Sequence, residues 1–476
     1  MMNIKTLLIE IKNEIFHLYS DDFDYHNELH FPDFTTTPNG TQVTFSDKAR
    51  KLISNLSDLI YKNIPGSIKK ISEEQHYQSV REAIAVLFSE ELLEKIDQPE
   101  NEGRIVEKAF KKTLKEIISK STYKITHHFF ANSILGKTSD AVWLGQVKIE
   151  SFTSWIQDSN FSSMANIKIH PEENFDTVWK NSLIHKINSR NESIKLKDFA
   201  EKLYKISKSA NTVLSYETQG FERKTSRSVA KIICKSALDY MSLLGGEKKS
   251  FHQNTLCECR NLPISYYPIS SIDGLVGNPG LSFTNKLITT NPQLFLDLLK
   301  NNKELVESFN YIVRGLGFLD QHPHPELCIR WLTALDWYAE AQREETDAIA
   351  LAKLGISLDT LANGGKAIGI IELMKNLIGI DDDGIVKHEP QKINIRDLVY
   401  KLYNDGRSRI VHGDSIDRLL TYEIEIMDAT YLARFALLEC AMRLKHYKGE
   451  DNPNAFKTLP PPISGDKVAI DMADNG

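Results

Sequence analysis

Three things are scarce in this chain, and each scarcity narrows the class of protein. There are only five cysteines in 476 residues, Cys234, Cys257, Cys259, Cys328 and Cys440. An odd number at wide spacing fits a reduced, cytoplasmic setting better than a disulfide framework. There is no excess of positive charge: the net charge is −6. A broadly basic nucleic-acid coat, whose affinity comes from neutralising phosphates, is therefore excluded, though a local cationic cleft is not. No stretch approaches the roughly 18 apolar residues of a membrane span, so no membrane association is expected. The first twenty residues, MMNIKTLLIEIKNEIFHLYS, lack the apolar run and small-residue site of a signal peptide and read as an amphipathic helix. No repeat at a fixed period is visible.

What is present is ordinary for a globular protein: 41% hydrophobic and 26% charged residues, enough for a sizeable core. The length points to two or three domains. Apolar residues at helical spacing (Ile4, Leu7, Leu8, Ile11, Ile15, Leu18) open the chain. A polar loop is expected at 31–46, then helices near 47–63, 73–97 and 103–120. The stretch 121–156 is rich in β-branched and aromatic residues around a turn-like LGKTSD, which predicts a short β element. Helices return near 173–188, 195–209 and 225–244. Residues 1–250 are read as one mostly helical module. Residues 251–290, rich in Pro, Gly, Ser and Asn, are read as a connecting region. From 291 to 448 the pattern is almost continuously helical, as in a bundle, and 449–476 reads as a flexible tail. The expected fold class is therefore mainly α.

One segment carries a definite chemistry: Arg407-Ser408-Arg409-Ile410-Val411-His412-Gly413-Asp414. Cleavage of RNA by its own 2′-hydroxyl needs a base for that hydroxyl and an acid for the leaving 5′-oxygen, and histidine can serve as either. The phosphorane's charge needs stabilising, which an arginine fork does bidentately. No metal or cofactor is required. On a regular α-helix, residues five apart lie roughly 140° apart around the axis. Arg407 and His412 thus share one face only if the helix departs from regular winding or ends inside the motif, or if two subunits share the site. Taken by itself, the spacing also fits a helix-end histidine before a capping glycine.

The helix RDLVYKLYNDGRSRIVHGD, the polar gap after it and the long closing helix LTYEIEIMDATYLARFALLECAMRL resemble HEPN domains. The resemblance is to the ApeA-like group found in anti-phage abortive-infection proteins, over roughly 292–448. It implies a C-terminal HEPN helical bundle preceded by a larger, mostly helical sensor or regulatory module. The implied activity is a metal-independent endoribonuclease acting in antiviral defence. The family motif is R-x4–6-H, so Arg407 and His412 align with its catalytic pair. Arg409 is a candidate phosphate contact and Asp414 a candidate for orienting His412. Asp359 matches an acidic residue that members often carry on an earlier helix. Many members have Asn, Asp or His directly after the arginine, where this chain has Ser408. That departure keeps a rival in view, a non-catalytic HEPN protein that binds RNA or nucleotide or acts as a scaffold. The partners implied are an RNA substrate, a second copy of the chain paired through the HEPN domain, and a phage-derived trigger.

Other segments carry weaker patterns. ANSILGKT at 131–138 fits a loose phosphate-loop pattern, with Lys137 and Thr138 as its working residues, or else a hairpin turn. His252, Cys257 and Cys259 offer soft ligands to zinc at an unusual spacing. HPHPE at 322–326 reads as the start of a helix with Pro325 in its first turn, and Trp331 and Trp337 as core residues.

Overall fold

The computed structural model describes residues 3–24, 33–64, 70–97, 100–138, 140–161, 178–196, 198–259, 265–277, 280–283, 291–381, 383–387, 392–408 and 421–461. The chain is mainly helical with a small sheet. Two compact units are distinguished, one of residues 1–126 and 217–230, the other of residues 127–216 and 231–476. The module read at 1–250 is thus shared between them. Among the described residues, no helix is long and apolar enough to cross a membrane.

In the first unit, four helices, α1 (Ile4–Leu18), α2 (Asp47–Lys62), α3 (Glu73–Ser89) and α4 (Glu100–Lys120), surround one apolar core. The side chains of Asn3, Ser46 and Ser72 accept from the N–H groups of Thr6, Ala49 and Gln75, which starts the first three helices. Leu7, Leu8, Ile11, Ile15 and Leu18, the stripe read from the sequence, are buried. The region read as a loop at 31–46 instead contains a hairpin, β1 (Asp33–Thr36) and β2 (Gln42–Phe45). Val43 and Phe45 are fully buried in the helical core. Only two apolar side chains on one face are needed to anchor so short a strand, too few to stand out as alternation.

The second unit carries most of the sheet and the C-terminal bundle. The strands are β3 (Tyr123–Asn132), β4 (Val142–Leu144), β5 (Val147–Ser151), β6 (Thr212–Phe221) and β7 (Thr255–Leu256), in the order β4-β5-β6-β3-β7. The β element expected at 121–156 supplies three of the five, followed by α5 (Phe152–Asp158). Helices α6 (Val178–Ser189) and α7 (Asp198–Ser207) join α5 around Trp155, Trp179, Leu183 and Leu203.

The bundle begins with α8 (Arg223–Gly245) and α9 (Lys248–Gln253), followed by α10 (Pro292–Asn301), α11 (Lys303–Gly317) and α12 (Pro325–Gln342). It closes with α13 (Asp347–Leu361), α14 (Lys366–Ile378), α15 (Ile395–Tyr400), a helix of the wider π type at Lys401–Ser408, and α16 (Glu423–His446). Tyr240 of α8 stacks on Phe309 of α11 at 4.5 Å between ring centres. The Trp331 indole N–H donates to the Leu437 carbonyl at 2.8 Å. Trp337, expected in the core, is 36% exposed on the same helix. Six residues after Trp331, it has rotated away from the buried stripe. Arg434 of α16 donates to the Leu243 carbonyl at 2.9 Å.

The stretch read as a connecting region begins inside this fold. Phe251 is buried, β7 joins the sheet, and buried Arg343 donates to the carbonyls of Phe251 at 2.9 Å and Asn254 at 3.2 Å. The described part of the expected tail is packed as well. Phe456 and Leu459 are fully buried, and Asp451 accepts from the Glu326 and Leu327 N–H groups at 2.8 and 3.0 Å. Asp451 thereby caps α12, which starts at Pro325 as read from the sequence.

Candidate functional site

The helix that leads into the motif starts at Asn394, whose side chain accepts from the Asp397 N–H at 2.7 Å. Ile395, Leu398 and Val399 face inward along α15. The hydrogen-bond register then widens to i→i+5 over Lys401–Ser408, with Leu402 and Tyr403 still buried. These side chains lie over Leu351, Gly355 and Leu358 of α13, Ile370 of α14 and Ala429 of α16. The gap they enclose measures about 10 Å³. It is apolar and no larger than one water, so it is a packing defect and not a ligand pocket. On the outer side Lys401 pairs with Glu425 of α16 at 2.9 Å.

Of the motif, Arg407 and Ser408 are the last two residues of the π-type helix. Their side chains, and the whole of Arg409, His412 and Asp414, lie outside the described residues. After the motif the chain re-enters at Thr421, and the Tyr422 N–H donates to Asp347 at the start of α13 at 3.3 Å. Asp359 is half-buried near the other end of α13, and its carbonyl accepts from the Gly364 N–H at 2.8 Å. That bond closes a turn in which Asn363, Gly364, Gly365 and Lys366 all have positive φ, a conformation that two glycines make accessible.

The other sequence candidates resolve differently. Residues 131–138 are the end of β3 and a short 3-10 turn, Ile134–Lys137, and the next element is strand β4. A phosphate loop needs a strand, a glycine-rich loop and a helix whose N-terminus receives the phosphate. That arrangement is absent here, which removes the phosphate-loop reading of Lys137 and Thr138 and leaves the turn. Thr138 instead donates its hydroxyl to the Leu135 carbonyl at 2.8 Å.

Among the described residues, no group of three His, Cys, Asp or Glu side chains is placed to hold a metal. Cys257 donates to the Ser209 carbonyl, and burial pushes its thiol up to about 11, away from the thiolate that zinc requires. The histidines of HPHPE are structural. The His324 Nε2 N–H donates to the Gly449 carbonyl at 2.9 Å, so its Nδ1 accepts from the Tyr311 hydroxyl at 2.7 Å. His322 accepts the His324 backbone N–H at 3.1 Å. Burial, aided by His324, brings its pKa down to about 4, which keeps the ring neutral.

One arrangement escaped the sequence reading, a row of polar and aromatic side chains crossing four strands of the sheet. Its members come from segments up to 87 residues apart, as in the 2.8 Å contact of His128 with Ser215, and only the strand register brings them together. No family model, curated protein or solved structure matches the chain.

Proposed function

We propose that the chain is a metal-independent endoribonuclease of the HEPN type, an abortive-infection effector that halts phage growth by cutting RNA. Arg407 and His412 carry the reaction. His412 moves the proton at the 2′-hydroxyl or at the leaving 5′-oxygen, and Arg407 holds the non-bridging oxygens. Ser408, Arg409, Asp414 and Asp359 serve in support. A second copy, paired through the motif-bearing face, supplies the second proton-transfer group.

The observation that carries this reading is the winding of the helix that enters the motif. The i→i+5 register covers Lys401–Ser408, the turns that lead into the motif and end one residue past Arg407, and such rare π-type turns concentrate at functional sites. A bundle of long helices around this segment accords with the proposed domain. Ser408, where family members often carry Asn, Asp or His, favours one rival, a HEPN domain that binds RNA or nucleotide, or scaffolds, without cutting.

The test expresses the wild type and His412→Ala in a bacterial host challenged with phage and maps RNA ends. Cleavage leaving 2′,3′-cyclic phosphates is expected, slowed on the order of 10²–10⁴-fold by the substitution. The purified enzyme should work in EDTA. Equal cleavage by His412→Ala overturns the site. Loss in EDTA with recovery in magnesium overturns the metal independence. RNA binding without cleavage by the wild type supports the rival.

A further inference from the structure

In the register of the sheet, Trp143 of β4 stands opposite Lys148 of β5, and Lys148 stands opposite Ser215 of β6. Paired residues on adjacent strands project from the same face. His128 of β3 continues the row, its Nδ1 2.8 Å from the Ser215 hydroxyl. Four neighbouring strands thus line up an indole, an ammonium, a hydroxyl and an imidazole over about 14 Å, three strand spacings.

The row is exposed at Trp143 and His128 and closed between them, where Ser215 is buried. Trp143 is 60% exposed, and among the described residues its ring makes no aromatic contact. His128 is exposed as a residue, but its Nδ1 edge is enclosed. The Trp155 indole N–H donates to Nδ1 at 3.2 Å, so Nδ1 is an acceptor and the neutral ring carries its proton on Nε2. Enclosure of that edge, with Lys148 nearby, lowers the imidazole pKa. At neutral pH His128 therefore presents an uncharged N–H donor, and among the described residues Nε2 has no hydrogen-bond partner. Lys148 lies 2.7 Å from Glu150, whose side chain is 3% exposed. The buried carboxylate holds the ammonium in place by charge, and the ammonium carries N–H donors alone.

We propose that this sheet face binds single-stranded RNA, with a base stacked on Trp143 and the adjoining phosphate held by Lys148 and the His128 Nε2 N–H. A nucleotide unit joins a planar π-face to an anion within one repeat, and the row sets a free aromatic ring beside fixed N–H donors on the next strands. Stacking on aromatic side chains of a sheet is a general mode of single-strand recognition and tolerates any base. A peptide or glycan uses the ring or the donors, but has no repeating feature that matches both. The inference rests on the sheet alone and is independent of Arg407 and His412.

The test uses the full chain and a fluorescent 2′-O-methyl oligouridylate, which cannot be cleaved through a 2′-hydroxyl, with anisotropy as the readout. Wild type should bind at low salt. Trp143→Ala should bind roughly 10- to 100-fold more weakly. Its melting temperature should be unchanged, because the ring is exposed. Lys148→Met should lower the log–log salt slope by about 0.7, the single-strand value for one phosphate. His128→Gln should hold affinity better than His128→Ala. In the Arg407→Ala/His412→Ala background, where the motif no longer holds phosphate, Trp143→Ala should still weaken binding by the same factor. Four results would overturn the proposal: no binding by wild type at low salt; unchanged affinity in both Trp143→Ala and Lys148→Met; no further loss when Trp143→Ala is added to the double motif variant; or uridine monophosphate competing as well as the oligonucleotide, which makes a free nucleotide the occupant.

Discussion

Ser57 and His76 meet in the core of the first unit, with Oγ 2.8 Å from Nδ1 and His76 wholly buried. Among the described residues, His76 Nε2 has no hydrogen-bond partner. Burial, opposed in part by Asp58, brings the ring's pKa down to about 4. The folded state thus disfavours the proton relative to an unfolded chain, where histidine titrates near 6.5. Stability from this site is complete above about pH 6.5 and is lost as the pH falls toward 4, by at most about 3 kcal/mol. Thermal melts of wild type and His76→Gln between these pH values test it. The wild type should lose stability more steeply, and parallel curves would refute the assignment.

Arg343 and Asp239 form a buried ion pair, each side chain 1% exposed, that joins α12 to α8. Lys235 and Glu340 extend the pair into a network. Removing one partner leaves a buried charge uncompensated, so Asp239→Ala should destabilise the second unit by about 3–5 kcal/mol. For the same reason a fragment starting near 291, after the stretch that composition marks as the connecting region, should not fold, because it lacks Asp239, Tyr240 and Phe251. Circular dichroism and denaturant melts decide; a cooperatively folding fragment contradicts the expectation.

The chain beyond Gly449 should contribute to stability. Asp451→Ala removes the cap of α12 and should cost about 1 kcal/mol. Phe456→Ala empties a fully buried site and should cost about 3–5 kcal/mol. Denaturant titration measures both, and values within error of wild type would mean that this segment is dispensable.

If two copies share one cleft, variants that each lack a different motif residue should complement. Arg407→Ala chains mixed with His412→Ala chains form heterodimers with one arginine and one histidine left. Their activity should exceed that of either variant alone, with light scattering reporting a dimer. A fully active monomer would end the dimeric proposal.

How much of this was legible beforehand follows from the range of the interactions. The stripe from Ile4 to Leu18, the helix start at Pro325 and the β-rich stretch from Tyr123 to Ser151 were readable because each is encoded by neighbours one or two turns, or one hairpin, apart. The hairpin at Asp33–Phe45 and strand β6 were not, since a strand is confirmed by a partner that the local pattern does not name. The R-x4-H motif was legible as chemistry, while the winding of the helix leading into it was not, because a π-type register depends on how Leu402 and Tyr403 pack against α13 and α16. Local spacing by itself determined the helical class and the position of the motif. Only the tertiary structure decided that Trp143, Lys148, Ser215 and His128 form one row, that Arg343 finds Asp239, and that Asp451 caps α12. Apart from Trp143 and Lys148, which face each other across one hairpin, those pairings span from 67 to more than a hundred residues, and their register is fixed by burial of the whole surrounding core, which no local stretch of sequence contains.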